Sequence, residues 1–327
     1  MLLSIVVPCF NEQGGIAEFH KRTKAACEIE GIDLEIVYVN DGSTDETLGC
    51  LRELMNDNIS VTIVDLSRNY GKEIALSAGL DYARGDLVVP IDADLQDPPE
   101  LIPEMIDKYR EGYNVVYARR RSRASETWLK KKTASLFYRA MSYIGGKVEL
   151  PANVGDFRLM DRKSLNALLQ LREQHRFMKG LFAVVGFRQV AIDYDRDPRF
   201  ADETKWSYWK LWNLSLEAFT SFTILPLKLS TYLGLSVAMF AFIYGGYIVF
   251  KAILFGDPVN GFPSLIAIVT LIGGVQLMVL GVIGEYLGRI FNETKRRPLY
   301  FVQDVLAQSD SDSDTGSTND PVKALIK

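Results

Sequence analysis

The first 118 residues alternate short β-branched apolar runs with longer amphipathic stretches, a pattern that predicts parallel strands joined by helical crossovers. Strands are expected at residues 2–7, 34–40, 61–65, 87–91 and 115–118. The polar residues that break the pattern stand at the carboxyl ends of these runs: Asn11 and Glu12 after the first, Asp41 after the second, Asp92 and Asp94 after the fourth. Open α/β sheets bind ligands outside the carboxyl ends of their strands, so these clusters should face one crevice. Residues 119–150 read as a basic helical region, and residues 153–194 as mixed helix and strand that extend the sheet.

The pattern changes near the back of the chain. Residues 206–222 (WSYWKLWNLSLEAFTSF) are rich in Trp and helical in period, as expected of a helix lying at a membrane interface. Residues 232–250 and 262–284 carry no charge, and each is near the ~20 residues that cross a ~30 Å hydrocarbon core. Two transmembrane helices are therefore expected. Their connection, FGDPVNG, has no Lys or Arg, whereas Arg289, Lys295, Arg296 and Arg297 follow the second stretch. The positive-inside rule then puts the N-terminal domain and both termini on the cytoplasmic side. The expected division is an α/β domain over 1–205, interface helices over 206–229, two spans over 230–288 and a tail over 289–327, disordered from about 308. The N-terminal apolar run is broken at once by Asn11 and Glu12, which marks a buried strand and not a signal peptide.

Composition narrows the function by exclusion. A net charge of -4 argues against a nucleic-acid binder, whose footprint is a basic domain. Cys9, Cys27 and Cys50 have no CxxC spacing, so neither a disulfide framework nor a structural zinc site is indicated. There is no P-loop and no G-x-G-x-x-G fingerprint, and with only His20 and His175 a histidine-rich metal site or a Ser-His-Asp triad is disfavoured.

What remains is carboxylate chemistry. Asp92 and Asp94, one residue apart at a strand end, can reach a hard divalent cation that bridges two phosphates, because Mg²⁺ and Mn²⁺ prefer oxygen ligands and keep positions open for substrate. Ser43 and Glu46 match a capping box for the second helix, which leaves Asp41 to face the crevice. Between residues 119 and 132, four arginines and three lysines stand against one glutamate, a local balance of +6 suited to an anionic lipid headgroup. Gly155 precedes Asp156, and a carboxylate with a glycine before it can approach a substrate closely.

In order along the chain, PCFNE (8–12), NDGSTDET (40–47), SRNYGKE (67–73), DADLQDPPE (92–100) and GDFRLMDR (155–162) together resemble the GT-A glycosyltransferases of family 2. Within that family the chain is similar to the polyprenyl-phosphate transferases, which include the dolichol-phosphate mannosyl, aminoarabinose-lipid and bactoprenol glucosyl enzymes. The two C-terminal spans and REQHRFMKG (172–180) point to the bactoprenol branch. The resemblance implies a Rossmann-like, mostly parallel catalytic sheet. It implies a nucleotide-sugar held by Pro8, Asn11, Glu12, Asp41, Lys72 and Asp92, with Mg²⁺ or Mn²⁺ on Asp94 and Gln96. It places the acceptor phosphate on Arg119 and Lys131, and Asp156 and Arg199 as catalytic residues, Asp156 orienting the acceptor side or acting as a base. The family's Arg-x-x-Gly-x-Ser-Lys element appears as RFADETK (199–205), with Asp202 in place of the glycine. No Q-x-x-R-W element occurs, so a single transfer is expected over processive polymerisation. The implied reaction is inverting transfer of one sugar, glucose from UDP-glucose, to undecaprenyl phosphate; an aminoarabinose or mannose donor and an inactive scaffold are the alternatives. The implied partners are the membrane, a homo-oligomer up to a tetramer, a flippase and a downstream glycosyltransferase.

Overall fold

The computed structural model describes residues 1–121, 153–174, 176–195, 225–255 and 261–308. They divide into two units, one built of residues 1–142, 147–206 and 298–327 and the other of 143–146 and 207–297.

The first unit is an eight-stranded sheet with helices on its faces. Its strands are β1 (Leu2–Cys9), β2 (Asp33–Asn40), β3 (Ser60–Leu66), β4 (Leu87–Pro90), β5 (Val115–Arg120), β6 (Val154–Asp161), β7 (Gln189–Tyr194) and β8 (Val302–Ala307). Between them run α1 (Ile16–Ala26), α2 (Thr47–Leu54), α3 (Lys72–Tyr82), α4 (Ile102–Arg110), α5 (Arg162–Leu169) and α6 (Met178–Val185). All five strands expected from the front of the sequence are present. The order is β7-β5-β6-β4-β1-β2-β3-β8.

Strands β1 to β3 are nearly continuous apolar runs because both faces of the parallel sheet are covered. The exceptions are paired. Ser4 and Glu35 are fully buried, and Ser4 Oγ donates to Glu35 Oε2 at 2.5 Å while Arg84 Nε donates to Oε1 at 2.7 Å. A buried carboxylate so bound avoids the cost of an unpaired charge. Helix α3 rides close on the sheet at Gly79, where a Cβ would stand 2.4 Å from Val6 Cγ1 and 2.9 Å from Val39 Cγ2. A larger residue there would lift the helix and everything at its amino end.

Direction decides what reaches the crevice. Strands β1, β2, β3 and β4 run parallel, β5 and β7 run parallel to each other, and β6 is antiparallel to both β4 and β5. The edge that holds the carboxyl ends of β1 to β5 therefore also receives the amino end of β6. Strand β8 pairs antiparallel with β3, so its amino end lies at that same edge. Residues 302–307 were expected in a tail; they are instead the outermost strand of the sheet, while 309–327, expected to be disordered, lie outside the described residues.

The second unit contains two long helices, α7 (Leu225–Phe255) and α8 (Phe262–Thr294). Among the described residues one stretch, Leu271–Thr294, is long and apolar enough to cross a membrane, with none of its most apolar window buried. The interface helix expected at 206–222 and most of the basic region at 119–150 lie outside the described residues.

Candidate active site

Strand order reverses at β1, whose neighbours are β2 on one side and β4 on the other, and this is where an open α/β sheet leaves its crevice. The loop after β1 is tied to the loop after β2. Asn11, at φ 56°, accepts the Thr44 N–H on Oδ1 at 2.9 Å, and its own N–H donates to Ser43 Oγ at 3.1 Å. The Glu12 N–H donates to Thr47 Oγ1 at 2.8 Å, and the Glu12 carbonyl accepts from Gly15 and Ile16 as α1 begins. Pro8 is half-buried in β1, paired with Val39. Ser43 is thus a tie between loops and not the expected helix cap. Helix α2 starts at Thr47, and the short carboxylate of Asp45 accepts the Thr47 N–H at 3.0 Å.

Asp41 was expected to stand open to the crevice, but both of its oxygens are engaged. Oδ1 accepts the Tyr70 N–H at 2.7 Å and Oδ2 the Gly71 N–H at 2.9 Å. Burial pushes this carboxyl up, and the two amides and Arg68 only partly offset it. Asp41 organises the SRNYG loop that leads into α3. Gly42 lets that loop close: at φ +63°, a Cβ would meet Arg68 C and Asn69 N at 2.6 Å.

Helix α3 opens with Lys72 at this edge. Lys72 Nζ lies 2.7 Å from the Asp92 carboxylate and 2.8 Å from Asp156 Oδ2. Asp156 comes from the amino end of β6; continuing the register Leu87↔Asp161, Val88↔Met160 brings it beside Asp92. One ammonium therefore joins two carboxylates from neighbouring strands of opposite direction. Burial alone would lower the Lys72 pKa, yet the Asp92 and Asp156 charges outweigh it and hold it raised. Burial likewise works to raise Asp156, but Lys72 and Lys179 pull it down to about 2. Asp92 is raised, by burial first and by Asp156, against the pull of Lys72. The second oxygen of Asp156, Oδ1, is buried with no hydrogen-bond partner among the described residues.

The Arg158 guanidinium donates to the backbone carbonyls of Gly155 at 2.8 Å and Asp156 at 3.3 Å, and lies 3.7 Å over the Phe182 ring. Burial lowers its pKa to about 10. Glu73, next to Lys72, accepts the Met178 N–H on Oε2 at 2.9 Å, and burial with the Asp156 charge pushes it up to about 7.

In the DADLQD segment, Ala93, Leu95 and Asp97 are buried while Asp92, Asp94 and Gln96 are half-buried. Leu95, at φ 58°, turns the chain, and the Gln96 N–H donates to Asp94 Oδ1 at 3.1 Å. Asp97 anchors the segment by accepting from the Tyr194 hydroxyl, with Arg120 at 3.7 Å. Among the described residues no group of three His, Cys, Asp or Glu gathers into a metal cage. A carboxylate and an amide oxygen without a cage fit a hard cation that takes its other ligands from a diphosphate.

Arg119, at the end of β5, binds Asp193 with both ends of its guanidinium, at 2.6 and 3.0 Å. Lys131 and Arg199 lie outside the described residues. Crevice residues that sequence reasoning missed include Glu73 and Asp97; Glu73 had a usable signal, an acid in the first turn of a helix that opens at a strand-end loop.

The mostly parallel sheet with its strand-end carboxylates is the GT-A-like arrangement that the resemblance implied. Residues 4–169 match the profile of glycosyl transferase family 2, and residues 225–290 match the GtrB C-terminal hairpin. An uncharacterized glycosyltransferase of Synechocystis is 53% identical over 93% of this chain and 95% of its own length. The prophage bactoprenol glucosyl transferase homolog of Escherichia coli is 44% identical, covering 93% of this chain and 99% of its own. The bactoprenol glucosyl transferase of Shigella phage SfV is 44% identical, covering 93% and 98%. The chain belongs to glycosyl transferase family 2 and is a glycosyltransferase.

Proposed function

We propose that this enzyme transfers one glucosyl residue from UDP-glucose to undecaprenyl phosphate at the cytoplasmic face of a bacterial plasma membrane, with inversion at the anomeric carbon. The observation that carries the reading is the Lys72 bridge between Asp92, at the donor end of β4, and Asp156, at the amino end of β6. In this reading the bridge joins the donor and acceptor sides at one point of the crevice, and relatives aligned along 93% of the chain are named for bactoprenol glucosyl transfer.

A phosphate monoester has a second pKa near ~6 and is already a nucleophile at neutral pH, so catalysis rests on alignment and charge. Asp94 and Gln96 would hold Mg²⁺ or Mn²⁺, which supplies a Lewis acid for the leaving diphosphate. Asn11, Glu12 and Asp41 shape the loops around the nucleotide, and Lys72 holds Asp92 and Asp156 in place. Asp156, held at about 2, is a poor proton acceptor at neutral pH. Its role in this reading is to accept a substrate hydroxyl on Oδ1 and so orient the reacting partners. Arg119 and Lys131 take the lipid phosphate, Arg119 exchanging its Asp193 partner for the phosphate, and Arg199 completes the acceptor side.

The hairpin anchors the enzyme by two spans. Support for an even number of crossings comes from the chain leaving the catalytic sheet after β7 and rejoining it at β8. If Leu271–Thr294 spans, α7 supplies the second crossing: its 31 residues extend about 46 Å. Arg289, Lys295, Arg296 and Arg297 mark the cytoplasmic end.

The test is a screen of radiolabelled UDP-glucose, UDP-aminoarabinose and GDP-mannose with undecaprenyl phosphate and the purified full chain. Label should enter the lipid from UDP-glucose; preference for either other donor refutes the assignment of the sugar.

A further inference from the structure

The segment that follows the membrane hairpin does more than close a sheet edge. It is fastened at both ends within the catalytic unit. At its far end Gln308 Nε2 donates to the carbonyls of Met55 and Asp57, the latter at 2.9 Å. At its near end the Phe301 carbonyl accepts the Ser67 N–H at 3.0 Å, and Ser67 is the first residue of the SRNYG loop. That loop is held at its other end by Asp41 on the Tyr70 and Gly71 amides, and Lys72 comes next. Across it, Ser67 Oγ and the Tyr70 hydroxyl stand 3.0 Å apart. The register of β8 on β3 shifts between Asp65 and Leu66, just before this loop, so the pairing is adjusted where the loop begins.

A second tie reaches α3 itself. The Tyr300 hydroxyl donates to Asp81 Oδ2 at 2.8 Å, and Arg172 grips the same carboxylate at 2.8 and 2.6 Å. The Asp81 side chain is only 7% exposed. Burial and Asp81 raise the Tyr300 pKa, so the phenol stays a donor at any working pH. Asp81 lies in the last turn of the helix whose first residue is Lys72, and a helix pressed onto the sheet at Gly79 moves as a rod. What holds the tail sets the head.

We infer that residues 300–308 are a positioning element of the donor site, with Tyr300 its positioning side chain: they set the SRNYG loop and α3 so that Lys72 meets Asp92 and Asp156. The inference rests on the proposed reading of that loop as the holder of the nucleotide-sugar. It makes donor binding depend on the stretch of chain that leaves the membrane hairpin, while the acceptor side, which Lys72 reaches only through Asp156, should feel it less.

The experiment uses the full chain in lipid nanodiscs, a Tyr300→Phe variant and a chain ended after Arg297. Three quantities are measured: direct binding of UDP, KM for UDP-glucose against KM for the lipid, and hydrogen exchange at residues 67–72. Tyr300→Phe should raise the UDP dissociation constant and the donor KM by about three- to tenfold, raise the lipid KM by a clearly smaller factor, and speed exchange at the Tyr70 and Gly71 amides. The shortened chain should lose more donor affinity than Tyr300→Phe; if it does not fold, Tyr300→Phe alone decides. Wild-type UDP affinity in Tyr300→Phe, or equal shifts of the two KM values, overturns the inference while the donor-loop reading stands. Failure of the unaltered chain to bind UDP overturns the donor-loop reading and the inference with it.

Discussion

Replacing Glu73 by Gln removes a crevice carboxyl that burial pushes up toward neutrality. Burial, then the Asp156 charge, move Glu73 from the ordinary 4.5 up to about 7, against the opposing Met178 amide, Lys72 and Lys179. The folded state therefore keeps this proton to a higher pH than the unfolded chain does. Between about 4.5 and about 7 the unfolded chain releases its proton first, so the group's contribution to stability falls as pH rises through that window and stays low above it. At 1.36 kcal/mol per pKa unit the loss approaches about 3 kcal/mol at full effect, and solvent around a partly exposed group reduces it to about 1–3 kcal/mol. Glutamine keeps an oxygen to accept the Met178 N–H and cannot ionise. Glu73→Gln should match the unaltered protein at pH 4.5 and exceed it by about 1–3 kcal/mol at pH 8. Denaturant unfolding of the purified chain followed by circular dichroism reads this without interference from the lipid phosphate's own titration. A stability difference that is the same at both pH values, or greater at the acid end, refutes the reasoning.

Asp94→Asn and Gln96→Ala should each abolish transfer, and excess EDTA should do so reversibly to the unaltered enzyme; full activity in EDTA would remove the cation from the account. Asp156→Asn should lower kcat by one constant factor from pH 5.5 to 8.5, because a carboxyl held at about 2 is ionised throughout. A loss confined to one arm of the profile would make Asp156 a proton carrier instead. Gly42→Ala places a methyl group 2.6 Å from the Arg68–Asn69 backbone at a positive φ, with about 1–2 kcal/mol of backbone strain before any clash. The donor KM should rise with little change in the lipid KM, and an unchanged donor KM would show that the loop does not touch the nucleotide.

The parallel core was legible because its strands are buried on both faces and read as apolar runs with polar residues at their ends. Direction was not legible. Nothing in GDFRLMDR says that β6 runs against β4 and β5, yet that reversal is what delivers Asp156 to Lys72. Strand β8 was hidden for another reason: VQDVLA is short, mostly exposed and follows a long apolar hairpin, so its only signal is the partner it finds on β3. Local rules also misled where tertiary contacts compete with them. Ser43 and Glu46 have capping-box spacing, but Ser43 bonds the Asn11 amide across to another loop and the helix begins after Glu46. Asp41 reads as open to ligand from the sequence because its partners are not local: its amide donors lie 29 and 30 residues away along the chain.

The central claim is an in-line transfer between a nucleotide-sugar and a lipid phosphate aligned about Lys72 and Asp156. Its most direct test is the linkage in the product. The full chain in nanodiscs is supplied with ¹³C-labelled UDP-glucose, an α-linked donor, and undecaprenyl phosphate, and the anomeric configuration of the lipid product is read by NMR. The account predicts a single glucose joined to the phosphate in the β configuration. An α-linked product, or labelled glucose that is released to water and never joined to the lipid, contradicts it.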